Sequence, residues 1–519
     1  MRQPSTASPT RRSDTTPSMA PIKPEKFGYE QARHLLWRAG FGGTPRQIQT
    51  LADWGPEKSV DYLLAPEQVP FDEVSETAFD RSIIRPPTEE ERRTAQQARR
   101  ARDEETLARL QLDNQRRERE DRQQMREVQK WWLTRMIETP RPLEERMTLF
   151  WHGHFATSFR TIENSYHMFK QNMLFRRHAL GNFGELLFGI IRDPAMLAYL
   201  NNNQSRKGRP NENLARELME LFSLGVGNYT EDDIKEGARA LTGYTFQDDE
   251  FVFQKDAHDQ NPKKILGRSG RMDGDDFVRQ ILAQAACSRF IARKLYAYFA
   301  ADIPPLDATN NDRTLDRTTV SVIGDLASAM RSSRYSIKPV LRRLFLSEHF
   351  YDPRIMGQQI KSPVQLVVGA VRSLYTPTRD LGLLVDALDL MGQKIFEPPS
   401  VKGWNGGRSW INTSTIYVRQ NVLAFLLTGR KPAGWDAMAN EERYDPRPLL
   451  DELAGIFPSA RSDTRSTAEH LLRYTIGAAP DHAVDILVSS VASAGGGESR
   501  DDATRMLLLI SAMPEYQLC

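Results

Sequence analysis

Between Thr88 and about Glu138 the chain is written almost wholly in Glu, Arg, Gln and Asp, with no internal glycine or proline. A stretch of this kind can form one long helix braced by (i, i+4) ion pairs. Leu107, Leu110, Val128, Trp131 and Trp132 are too sparse for a continuous heptad seam. The expectation is therefore a solvent-exposed helical arm that docks through its tryptophans, with a partner-binding coiled coil as the alternative.

After Pro140 the apolar content climbs, and helical patterns run through 142–180, 184–200, 211–224, 231–243, 275–300, 317–350, 362–375, 380–392 and 412–429. Before the charged stretch, "YEQARHLLWRAGFGGTPRQIQTL" reads as helix, glycine turn, helix, with Thr44 as cap, Pro45 at the first position and Gln47 completing a capping box. Gly40, Gly42 and Gly43 do not make a dinucleotide loop, because Pro45 stands where the last glycine belongs and a helix precedes the turn. The one strand-like piece is "YTFQDDEFVFQKD", in which Phe246, Phe251 and Phe253 flank a polar turn. The fold class is all-α: a large multi-helix bundle with one short β-hairpin and a long charged helical arm. Residues 1–26 read as a disordered tail and 27–429 as the main helical domain, with 88–138 as an insertion. Residues 430–463 read as a connector and 464–519 as a small C-terminal helical appendage.

Seventy basic and 68 acidic residues leave a formal charge of +2, so the global electrostatics give no case for nucleic acid. Two cysteines, Cys287 and Cys519, make neither a disulfide framework nor a thiolate metal site. No apolar run reaches the roughly 18 residues of a membrane span. Arg11-Arg12 invites a twin-arginine export reading, but Ser, Asp, Thr and Pro follow where an apolar region belongs. On its own this N-terminus indicates the cytoplasm.

Four stretches could carry chemistry. The first is "LFWHGHFATS". In a continuous helix His152 and His154 point to opposite sides and cannot share a metal; a break at Gly153 would bring them to one side, and a packed aromatic His154 is the structural alternative. The second is "RPNENLARELMELFSLGVGNYTEDDIKEGARALTGYTF", where Asn211 or Asn213 can cap a helix ended by Gly225, and Thr230 with Asp233 caps the next. Glu217 falls on the margin of the inner stripe Leu214, Leu218 and Leu221, and a carboxylate there demands a partner. Arg239 or Arg146 would make a structural ion pair; a metal shared with histidine is the other choice. The third, "KDAHDQNPKKILG", sets His258 and Asp259 in a loop, a donor mix that suits Zn, Mn or Fe better than Ca, unless it is simply a polar turn. The fourth, "FEPPSVKGWNGGRSWINTSTIYVRQN", is a rigid aromatic loop in which Trp404, Arg408, Trp410 and Asn412 could grip a sugar or peptide, or merely pack a helix corner.

These stretches, with "LLWRAGFGGTP", occur in this order in the bacterial domain of unknown function 1800 family, which the chain resembles over roughly residues 28–429. The resemblance groups His152 and His154, Asn211 through Glu220, His258 and Asp259, and Trp404 through Asn412. It implies export and a companion protein encoded alongside, and it assigns no reaction. The charged segment at 88–138 reads as an elaboration on the shared pattern.

The absence of G-x-S-x-G, H-E-x-x-H, P-loop and C-x-x-C motifs removes several named chemistries. The expectation is then a metal-dependent hydrolase. His152 or His154, Glu217, His258 and Asp259 would hold a divalent transition metal, Glu220 would act as general base and Arg216 would steady an anionic transition state. The alternative is a non-catalytic binding or assembly protein acting with a companion through the charged helix and the tryptophan loop. The two separate on whether His154, Glu217 and His258 converge.

Overall fold

The computed structural model describes residues 19–304, 312, 314–430, 444–495 and 499–519. Twenty-two α-helices among them make the protein all-α. The expected hairpin is present, Tyr244–Gln247 pairing with Glu250–Phe253, and a second antiparallel pair joins Lys263–Ile265 to Arg268–Gly270. That second pair has three-residue strands without apolar alternation, so only its turn marks it: Leu266 and Gly267 both take positive φ, 47° and 83°, as a two-residue hairpin requires.

The charged stretch is helical but is not one arm. It forms Glu89–Ala101 and Glu104–Glu138, broken at Arg102, whose φ is 54°. Asp103 opens the second helix by accepting from the Thr106 N–H at 3.0 Å, a cap that competes with continuation. Glu91 then takes Arg85 and Arg117 at 2.8 Å each, which ties the first helix to the second. The far half of the long helix enters the core through Met125, Val128, Trp132, Leu133 and Met136.

Its docking point is polar. Glu145, fully buried on the helix Pro142–His154, accepts from Trp132 Nε1 (2.9 Å), Arg135 Nε (2.7 Å) and Arg176 Nε (2.7 Å). Three donors from two neighbouring helices offset the desolvation of one carboxylate.

One hydrophobic core runs from Ile22 to Tyr516. Ile22, in the segment read as tail, is buried and donates its N–H to the Leu346 carbonyl; residues 1–18 lie outside the described residues. Within the expected connector Arg447–Ile456 is a helix, while 431–443 lie outside the described residues. Residues of the C-terminal segment reach the body directly, Tyr474 donating its hydroxyl to the Gly43 and Ser373 carbonyls. The capping boxes at Thr44–Gln47 and Thr230–Asp233 form as read. No helix among the described residues is long and apolar enough to cross a membrane.

Candidate functional site

The helix Pro142–His154 runs unbroken through Gly153, so His152 and His154 point away from each other. His152 Nε2 accepts the Phe396 N–H at 2.9 Å, among the rings of Trp132, Phe396 and Trp404. His154 donates Nε2–H to the Phe222 carbonyl at 2.9 Å and is boxed by Phe150, Phe155 and Phe222. Its Nδ1 is buried without a partner among the described residues. Burial holds both imidazoles neutral, pulling each pKa to about 3. The packed-ring reading of His154 describes what is seen.

The helix Asn213–Glu220 is tied to this histidine at its C-terminal end, where Phe222, which receives the His154 bond, donates its N–H to the Glu217 carbonyl at 2.9 Å. Asn211 supports its start by accepting from the Asn213 N–H, while Glu212 is the capping position. Neither arginine expected for Glu217 pairs with it. Arg239 binds Asp259 and Glu236, and Arg146 lies under the rings of Phe41 and Tyr298. The half-buried Glu217 carboxyl makes no hydrogen bond or ion pair among the described residues. Burial, then the neighbouring Glu220, raise its pKa to about 7, against the pull of Lys402 and Arg216. Glu220 accepts the Tyr229 hydroxyl at 2.8 Å. Arg216 is engaged elsewhere, in a two-point pair with Glu231 at 2.9 Å and with Glu212 at 3.3 Å.

The tryptophan loop closes on the same place. Gly403 has φ of +75°, and a Cβ there would fall on the Gly153 carbonyl oxygen; Trp404 lies over Gly153. Lys402, next in the chain, is the cation outside Glu217's own helix whose charge lowers the Glu217 pKa. Trp404, Trp410 and Asn412 line one cavity of about 420 Å³ with Asn405, Ser409, Ser414 and Asp389. Arg408 does not line it; its charge instead bears on Asp302. Asn412 also has a structural duty, its Oδ1 capping Thr413–Thr428 by accepting from Ser414 and Thr415 N–H at 2.9 Å.

His258 and Asp259 are held in a different set of interactions. His258 donates Nδ1–H to the Thr242 carbonyl at 2.9 Å and lines a separate cavity of about 280 Å³ with Lys255, Lys263 and Arg271. Asp259 accepts from Arg239 Nε at 2.8 Å, which lowers its pKa to about 2. The ligand set His152, His154, Glu217, His258 and Asp259 is therefore not assembled. No three His, Cys, Asp or Glu side chains among the described residues are grouped to hold a metal ion. The physical reason is placement: His152 and His154 leave opposite sides of one helix, Asp259 is paired with Arg239, and His258 faces a separate cavity.

Three of the four stretches thus meet at the end of the histidine helix, the tryptophan loop at Gly153 and the glutamate stretch at His154 through Phe222. A family model described as a protein of unknown function, DUF1800, matches residues 34–518. The chain belongs to this family. The match extends the resemblance through the C-terminal helices, consistent with their place in the common core. No curated protein and no solved structure matches the chain.

Sequence reasoning missed Lys402, Tyr229 and Tyr199, all of which bear on the two glutamates. Lys402 stood inside the quoted tryptophan stretch and Tyr229 inside the quoted glutamate stretch. Tyr199 carries no local signal, because only helix packing brings it there.

Proposed function

We propose that this DUF1800 protein is a hydrolase whose proton-transfer group is Glu217, with Glu220 beside it, working without a histidine-held metal. One observation carries the reading: the half-buried Glu217 carboxyl, on the helix tied to His154 and within the influence of Lys402, has no partner among the described residues. A group in that position costs stability, and folds that keep one commonly use it. Its pKa of about 7 suits it to give or take a proton near neutral pH. Glu220 lies one turn away on the same helix, oriented by Tyr229, and Lys402 can steady negative charge from the loop side. Arg216, paired with Glu231, leaves the catalytic assignment made for it from the sequence.

The test is a screen of ester, glycoside and peptide substrates with chelator-treated wild type, Glu217→Gln and Glu220→Gln. Activity should survive chelation and fall roughly 10²–10⁴-fold in Glu217→Gln. Activity abolished by chelation and restored by Zn, Mn or Fe would return the metal-dependent mechanism.

A second reading, non-catalytic binding with a companion protein, is favoured by Leu390 and Tyr417, large apolar side chains left 59% and 63% exposed. No activity on any substrate class, together with a stable complex with the companion, would decide for it.

A further inference from the structure

The cavity beside the tryptophan loop has a composition that selects among ligands. Its walls are Trp404 and Trp410, with Leu390, Met391 and Pro399 completing the apolar surface. Between them stand Asn405, Ser409, Asn412, Ser414 and Thr415, all neutral. At about 420 Å³ it lies within the range of small-molecule pockets.

Several of these polar groups have work within the protein. Thr415 Oγ1 donates to the Trp410 carbonyl, Ser409 Oγ donates to the Gly406 carbonyl, and Asn412 Oδ1 caps the following helix. The remainder do not. The Asn405 amide, the Ser414 hydroxyl, the Asn412 NH2 group and both indole N–H groups make no hydrogen bond among the described residues. The cavity therefore offers one part-exposed aromatic surface, Trp404, backed by the buried Trp410, and a set of neutral donors and acceptors.

Charge narrows the choice further. No lysine or arginine lines the cavity, and the one lining carboxylate, Asp389, is paired with Lys394 at 3.4 Å. Arg408, the cation nearest in sequence, has its charge set against Asp302 instead. An anionic ligand would meet no counter-charge there. A wholly apolar ligand would cover the amide and hydroxyl groups and strand their hydrogen-bonding capacity. A peptide strand recognised through its backbone needs an open sheet edge, and the lining holds no strand residue.

We infer that this cavity binds a neutral saccharide, whose C–H face stacks on the part-exposed Trp404 above the buried Trp410 while its hydroxyls exchange hydrogen bonds with Asn405, Asn412 and Ser414. Aromatic side chains with a polar handle suit a ligand that is apolar on its ring faces and polar at its rim. Leu390, on the lining and largely exposed, places an apolar edge at the mouth.

Glu217 is not among the lining residues, so this binding and the proton-transfer reading can fail separately. The experiment is titration of the full chain with a panel of short neutral oligosaccharides, followed by calorimetry and tryptophan fluorescence, with neutral proline-rich peptides as a parallel arm. The expected result is that at least one oligosaccharide binds and perturbs the tryptophan emission. Combined Asn405→Ala and Ser414→Ala substitution should weaken that binding about tenfold or more, at an unchanged melting temperature. If the double variant is destabilised, Leu390→Arg at the cavity mouth serves as the second probe and should weaken binding likewise. Failure of every oligosaccharide, binding that neither variant weakens, or selective binding of the peptides would overturn the inference. Glu217→Gln should leave the affinity unchanged.

Discussion

Gly403 rests on the carbonyl of Gly153, with its own φ at +75° and no room for a Cβ. Through that backbone contact the tryptophan loop closes on the end of the histidine helix, and Lys402 comes to bear on Glu217. The junction is built from glycine because two main chains must approach more closely than any side chain allows.

Gly403→Ala should therefore lower stability by on the order of 2–4 kcal/mol, combining left-handed strain with steric conflict. Chemical denaturation followed by tryptophan fluorescence reads both the loss and the displacement of Trp404. A substitution cost below about 0.5 kcal/mol would mean that the loop does not depend on this contact.

Glu217→Gln should stabilise the protein at neutral and alkaline pH. The folded-state pKa, about 7, stands above the ordinary 4.5, so the folded chain binds the extra proton between those values. Stability present below pH 4.5 is lost as pH rises through 7. The variant lacks that loss and should exceed wild type by roughly 1–2 kcal/mol above pH 7, allowing for solvent screening, and match it near pH 4. Melting temperatures that coincide across this range would show that Glu217 carries no such strain.

His152 and His154 act in the opposite direction. Their pKa values fall from 6.5 to about 3 on folding, so the unfolded chain binds more protons between those limits. Stability should drop as pH falls below 6.5. His154→Gln, which retains a donor for the Phe222 carbonyl, should flatten part of that decline in urea midpoints measured from pH 7 to pH 4. An acid limb as steep as wild type would place the proton uptake elsewhere.

Glu145→Gln should cost about 3–5 kcal/mol, because it leaves Arg135 and Arg176 buried around a neutral group. Equilibrium unfolding checks the size, and near-ultraviolet circular dichroism should report altered packing of Trp132, whose indole N–H bonds the same carboxylate. A loss under about 1 kcal/mol would mean that the long charged helix is held by its apolar face alone.

The helical class, the capping boxes at Thr44 and Thr230, the hairpin around Phe246 and Phe251, and the family were legible in the sequence. Each rests on local periodicity, on a cap four residues long, or on the order of short stretches along the chain. The break at Arg102 was missed because a run rich in helix formers hides one left-handed residue, which the Asp103 cap then stabilises. Glu217 reads in the sequence as a carboxylate that demands an arginine or a shared metal, and among the described residues it has neither an arginine partner nor two further metal ligands beside it. Arg239 turned to Asp259, Arg146 to two aromatic rings, and His258 to the Thr242 carbonyl. Periodicity decides which face of a helix a side chain takes; only the packing of distant helices decides which of several competing donors reaches it first. For this chain the sequence by itself determined the elements, their caps and the stretches worth watching. Long-range packing brings three of those stretches to the end of the histidine helix, packs the two histidines on opposite sides of it, and leaves the Glu217 carboxyl without a partner among the described residues.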